Sequence, residues 1–263
     1  MMSGANEVLR EAGCALVGGH TSVGAELALG FAVNGLVPAS AALRKGGLAP
    51  GDGLILTKPL GTGTLLAADM RRKAKARWVM AAIAHMIQSN GKAAQILRRH
   101  GVHAATDVTG FGLIGHLIEM VRASDVDATL AIDRLPLLEG ARETVARGLF
   151  SSLQPQNGRL RRAMRELATV AQHPLYPLLF DPQTSGGLLA ALPLAQAEHC
   201  VAALQEAGYA AAEIIGFVAE RSDALEPVTV DLTGEQLAAA LAALPPARPR
   251  AHALRKDTEK TVL

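Results

Sequence analysis

The chain has 263 residues, more than the commonest single-domain size, so its length points to two domains. Hydrophobic residues make up 49% and charged residues 19%, which gives ample material for a core; only 3% are aromatic, so Leu, Val, Ile and Ala must fill it. A net charge of +2 excludes the strongly basic footprint expected for nucleic acid or an anionic membrane, and no stretch has the length of a membrane helix.

The opening MMSGANEVLREAG is not a signal peptide, and two distant cysteines in apolar surroundings, Cys14 and Cys200, suggest neither a disulfide framework nor a zinc site. The chain therefore reads as cytoplasmic, with no nucleic-acid or membrane partner. Ser3 to Gly13 reads as a short helix with Ser3 as N-cap and Gly13 just past its end. CALVGGHTSVG is an apolar run broken by a Gly-Gly pair. Glu26 to Pro38 alternates Leu27, Leu29, Phe31 and Val33 against smaller residues, the pattern of a strand with one crowded face. Turn residues follow, and the domain boundary falls near Ala39 to Leu43.

The second domain opens with the strand LILT, Leu54 to Thr57, and the glycine loop KPLGTG. A helix from about Thr64 carries Leu65, Leu66 and Met70; a longer one, Ala76 to Ser89, should bury Trp78, Ile83 and Ile87; a third runs to His100. Strands are expected at Val102–Thr106, DATLAID, GLLAAL, AAEIIGFVAE and PVTVDL. Helices are expected at Gly112–Ala123, GARETVARG, Leu194–Gly208 and Gly234–Ala243. The alternation describes an α+β protein: residues 1–40 from an N-terminal α/β domain, residues 41–244 as a complete C-terminal domain with a mixed sheet covered by helices, and a basic, disordered tail over 245–263.

Four glycine-bearing stretches can carry chemistry. In KPLGTG a strand, a glycine loop and a helix start offer backbone N–H groups to an anion, with Lys58 adding charge, but the spacing is not that of a P-loop and a structural role for the glycines is favoured. In TDVTGFGLIGH, Gly110, Gly112 and Gly115 allow close approach, and Asp107 before them is either a turn or cap residue or one ligand of a magnesium ion completed by phosphate oxygens; spacing alone leaves both open. His116 reads as a packing histidine. In GGHTSVG, His20 and Thr21 offer donors to a phosphate, although a structural histidine is favoured from spacing. In DPQTSGG, Asp181, Gln183, Thr184 and Ser185 shape a loop, with no nucleophile-elbow context around the serine.

Taken together and in order, AGCALVGGHT, LTKPLGTG, ATDVTGFGLIGHLIEM and DPQTSGGLL resemble the selenophosphate synthetases (selenide, water dikinases), members of the aminoimidazole ribonucleotide synthetase superfamily, from about Val8 to about Val230. The resemblance implies homodimers that use ATP, selenide and water to make selenophosphate, AMP and orthophosphate. ATP would lie between the two domains, with Mg2+ bridging aspartates and phosphates. It implies that Asp107 is the metal-binding aspartate of the C-terminal domain, and that Gly19, His20 and Thr21 form a nucleotide-binding stretch reaching across the dimer. The family's Cys or selenocysteine, its catalytic Lys and its further aspartates would precede Met1; neither Cys14 nor Lys58 replaces them, so no catalytic residue is assigned here. The resulting expectation is a truncated synthetase, inactive alone. Its alternatives are an ATP-binding, dimerising fragment that complements a separate N-terminal half, and another ATP-dependent enzyme of the superfamily, which TDVTGFG and DPQTSGG argue against.

Overall fold

In a computed structural model, residues 1–244 are described; the expected basic tail lies outside them. Helix α1 (Met2–Glu11) ends in a Schellman turn: Gly13, at φ 65°, donates to the Arg10 carbonyl, and Cys14 donates to that of Leu9. Its start differs from expectation. The helix begins at Met2, so Ser3 lies inside the first turn and caps nothing. The expected strand at Glu26–Pro38 does not form. Among the described residues, no other segment pairs with it, and Leu27, Phe31, Val33 and Leu36 are exposed, Leu36 fully. Alternation specifies which face a strand would bury, but a ladder requires a neighbouring backbone to hydrogen-bond to.

The remaining residues build a single six-stranded sheet. Its strands are β1 (Asp52–Leu56), β2 (Ala104–Asp107), β3 (Asp127–Ala131), β4 (Leu188–Pro193), β5 (Glu213–Ala219) and β6 (Val228–Asp231). They lie in the order β2-β4-β1-β5-β3-β6, antiparallel except for the parallel pair β3–β6. Both faces are covered. Leu54 and Leu56 of β1 point into one core layer while Ile55 between them points into the other, and in β4 Leu189 and Ala191 alternate in the same way with Ala190 and Leu192. This explains why the strands read as nearly continuous apolar runs.

The helices are α2 (Thr62–Met70), α3 (Ala76–Ile87), α4 (Gly91–Arg99), α5 (Gly112–Ser124), α6 (Ala141–Ala146), the single turns α7 (Gln154–Asn157) and α8 (Leu167–Val170), α9 (Leu194–Glu206) and α10 (Glu235–Ala242). α4, α9 and α10 close one face, and α2, α3, α5 and α6 close the other. α3 buries Trp78 and Ala82 but leaves Ile83 at 38% and Ile87 at 79% exposure, against expectation. Its apolar residues outnumber the places available on the core, and Trp78, packed beside Gly140, takes the deepest one.

Beside the edge strand β6, Asp127 of β3 is buried, yet its carboxylate accepts from Arg165 and Arg221, both at 2.5 Å, and from the Ser222 hydroxyl at 2.6 Å and amide at 3.1 Å. Burial pushes this acid up, but the Ser222 and arginine hydrogen bonds outweigh it and hold the carboxyl at about 2. The group therefore stabilises the fold above the ordinary carboxylate pKa and loses that contribution as pH falls toward 2. Replacing Asp127 with Ala leaves two guanidinium groups facing a partly buried space. The expected loss, read by urea unfolding at pH 7, is about 2–4 kcal/mol; a loss below about 0.5 kcal/mol would show that the network is only decorative.

Candidate functional site

Three of the four glycine stretches meet at one end of the sheet, and Gln183 joins them. After β1, the chain passes Thr57, Lys58 and Gly61 into α2. The first amides of a helix have no partner within it, and here they are satisfied from the DPQTSGG loop. The Gln183 side-chain oxygen accepts from the Gly61 amide (3.0 Å), the Thr62 amide (3.2 Å) and the Thr62 hydroxyl (3.1 Å), and the Asp181 carboxylate accepts from the Gly63 amide at 3.1 Å. The Gln183 amide nitrogen turns back on Asp181, donating to its carbonyl and its carboxylate. Gly63 is required because a Cβ there would strike the Pro182 carbonyl.

This closes one possibility raised by the sequence. The positive end of α2 is occupied by the protein's own carboxamide and carboxylate, so the KPLGTG loop is a structural joint. Lys58 is spent likewise: its ammonium donates to the carbonyls of His85 (3.0 Å), Gln88 (2.6 Å) and Ser185 (3.1 Å), pinning the loop before β4 against the end of α3.

The TDVTGFGLIGH stretch runs alongside. Asp107 is the last residue of β2, paired in register with Leu188, and so stands at a strand end instead of in the loop expected. Among the described residues, its exposed carboxylate makes no hydrogen bond or ion pair. Beyond it, Val108 donates to the Gly187 carbonyl, Gln183 donates its backbone N–H to the Thr109 carbonyl, and Gly112 enters α5 at φ 72°, with the Phe180 backbone where a side chain would be. No side chain caps α5.

His116, expected only to pack, also works as an acceptor: its Nε2 takes the Thr109 amide proton at 3.1 Å and lies 3.3 Å from the Thr109 hydroxyl. That bond places the neutral ring's proton on Nδ1, which faces Glu119 at 3.5 Å, beyond a good hydrogen bond. Burial lowers this imidazole's pKa; Glu119 and then Asp107 oppose the shift. Asn157 was not foreseen. Its side-chain amide donates to the carbonyls of Gly110 (2.7 Å) and Phe180 (3.0 Å), fastening the glycine loop from the opposite side. The only available sequence signal was an asparagine ending QPQN, which composition does not separate from a turn residue.

Between these loops lies a cleft of about 680 Å3 whose lining includes Gly63, Arg71, Thr109, Gly110, Thr184 and Ser185. Gly19, His20 and Thr21 lie in the exposed extended stretch after α1, and no hydrogen bond or ion pair joins them to this cleft among the described residues. Nor do the described residues contain a group of three His, Cys, Asp or Glu placed to share a metal. A magnesium ion at Asp107 would have one carboxylate from this region and draw its other ligands from phosphate oxygens and water, a donor set that suits it.

A family model described as AIR synthase related protein, C-terminal domain, matches residues 49–225. The chain belongs to this family. It is 42% identical over 192 residues to the selenide, water dikinase of Trichlorobacter lovleyi, covering 73% of this chain and 55% of that protein. To the selenide, water dikinase of Pelobacter propionicus it is 38% identical over 231 residues, covering 88% and 66%. The chain thus spans between about half and two thirds of the length of these relatives. Among solved structures, hydrogenase maturation protein HypE shares the fold with a TM-score of 0.56 at 19% identity, over 75% of this chain and 54% of that one. Thiamine-monophosphate kinase from Stenotrophomonas maltophilia K279a does so with a TM-score of 0.52 at 19% identity, over 75% and 55%. No helix among the described residues is long and apolar enough to cross a membrane.

The joint makes a pH prediction. Burial raises the Asp181 carboxyl to about 7, against hydrogen bonds from Gln183, Gly63 and Thr64 that favour ionisation. The unfolded chain releases this proton near the ordinary carboxylate pKa while the folded chain retains it, so stability falls as pH rises from about 4 to about 7. Urea unfolding of the wild type should lose on the order of 1–4 kcal/mol across that window, and Asp181→Asn should remove most of the slope. Parallel curves for the two proteins would contradict the assignment.

Proposed function

We propose that this chain acts in the ATP-dependent synthesis of selenophosphate from selenide and water, with AMP and orthophosphate as the other products. In this reading, residues 1–40 belong to a nucleotide-binding, dimer-forming domain, residues 41–244 form the domain that presents Asp107, and the protein works as a homodimer in the cytoplasm. Support comes from two sides. Relatives named selenide, water dikinase are 34–42% identical over most of the chain. The observation that carries the reading to a residue is the free, exposed Asp107 carboxylate at the end of β2, two residues before a glycine loop that lines an open cleft.

The roles follow from the chemistry. Bound magnesium would neutralise the polyphosphate and orient the transferred group. Asp107 would hold one side of that ion, and its own position is fixed by the β2–β4 register and by the His116–Thr109 bond beyond it. Gly110 would offer its backbone N–H to the phosphates where α5 begins uncapped, a region of favourable potential for anions, the Thr109 amide being already given to His116. Gly19, His20 and Thr21 would contribute nucleotide contacts from the partner copy, which agrees with their exposure here.

Calorimetric titration of the chain with ATP and magnesium tests this. Binding should weaken at least about tenfold in Asp107→Ala, the scale expected when a charge-assisted ligand is removed, while Asp107→Glu retains part of it. Equal affinity in wild type and Asp107→Ala would remove Asp107 from the metal site.

A further inference from the structure

A second pocket lies on the other side of the segment that walls the cleft. The 3-10 helix Gly158–Ala163 and the 3-10 helix Tyr176–Phe180 face each other across a concavity of about 450 Å3, with Phe150 at its side. The chain has five Phe, two Tyr and one Trp, and this pocket takes two Phe and one Tyr. Phe180 is buried and packs edge-to-face on Tyr176, with ring centroids 5.0 Å apart at 69°. Phe150 and Tyr176 are half-buried, leaving ring surface toward the opening.

Arg159, Arg161 and Arg162 stand around these rings, all exposed. Four other arginines find acids: Arg77 pairs with Glu139, Arg134 with Glu213, and Arg165 and Arg221 with Asp127. Among the described residues, none of the three at the pocket has an ion-pair partner. Arg161 is close enough to Tyr176 to act on its phenol, offsetting part of the upward shift caused by burial. Unpaired guanidinium groups, whose planar fork suits phosphate oxygens, thus rim a concavity with aromatic walls.

From this juxtaposition we propose a ligand site, separate from the cleft lined by Thr109 and Gly110, for a small phosphate ester of a planar ring of the nucleoside monophosphate class. The ring stacks on Tyr176 and Phe150, and the phosphate is held by Arg161 and Arg162. The volume falls within the range of about 300–1,000 Å3 common to small-molecule sites. The site also has a mechanical connection to the cleft. Asn157, at the start of the arginine helix, holds the carbonyl of Phe180 in the pocket wall and that of Gly110 in the glycine loop. A ligand that orders the 157–162 segment therefore stiffens the TDVTGFG loop as well.

The test is calorimetric titration of the full 263-residue chain, without magnesium, with adenosine 5′-monophosphate, inorganic phosphate and adenosine in turn. The monophosphate should bind at least about tenfold more tightly than either part alone, and Arg161→Ala/Arg162→Ala should weaken it by at least about the same factor. Tyr176→Ala should weaken it too, Arg161→Lys/Arg162→Lys should restore only part, and Asp107→Ala should leave it unchanged. The exposed arginine variants should unfold at the wild-type temperature, so a loss of binding would not reflect loss of fold; Arg159→Ala alone is the milder check. Several results overturn the site: no binding by the folded wild type, phosphate binding as tightly as the monophosphate, indifference to the arginine variants, or loss in Asp107→Ala. Because the proposed magnesium–ATP reaction depends on Asp107 and this binding does not, either can fail without the other.

Discussion

One carboxamide sets the geometry at this end of the molecule. The Gln183 oxygen gathers the Gly61 and Thr62 amides and the Thr62 hydroxyl, its nitrogen holds Asp181, and its backbone N–H ties the Thr109 carbonyl. The start of α2, the loop before β4 and the loop before α5 therefore share one residue. A buried amide with both ends satisfied costs little to keep and much to lose, because each orphaned donor left behind would be buried without water. The glycines around it serve that closeness: Gly63 and Gly112 lie where any side chain would strike the facing loop.

The consequence is a division of labour between two helix starts. α2 spends its positive end on Gln183 and Asp181, and Lys58 spends its charge on three carbonyls, so neither is left for a ligand. α5 begins without a side-chain cap beside the cleft, with Asp107 unpaired at the strand before it. A carboxylate and an uncapped helix start are opposite in sign, and the proposed metal ion holding a phosphate would complement both. The proposed reading of Asp107 rests on that electrostatic logic as much as on similarity.

The six strands and the longer helices of residues 41–244 were legible from the sequence, because a sheet covered on both faces turns its strands into apolar runs bounded by turns. The family was legible from four short strings. What the sequence hid was local satisfaction of polar groups. Nothing in KPLGTG says that Gln183, more than a hundred residues later, fills the helix start, and nothing in LIGH says that His116 accepts from Thr109. Alternation misled at Glu26–Pro38, where the pattern marks the residues a sheet would accept and is silent on whether a neighbouring strand is there to pair. The stretch from Leu153 to Phe180, made of single turns and 3-10 helices, carries too few residues per element for any period to register.

If Gln183 is the joint, its loss should be felt at several places distant in sequence and nearby in space. The most direct test is amide hydrogen exchange at single-residue resolution in the wild type and in Gln183→Leu, which keeps bulk and removes the carboxamide. The account predicts that protection of Gly61 and Thr62 falls by at least about tenfold, while amides in the middle of β5 exchange as in the wild type. Unchanged protection at Gly61 and Thr62 would mean that these amides are held by something other than Gln183, and the central claim would be wrong.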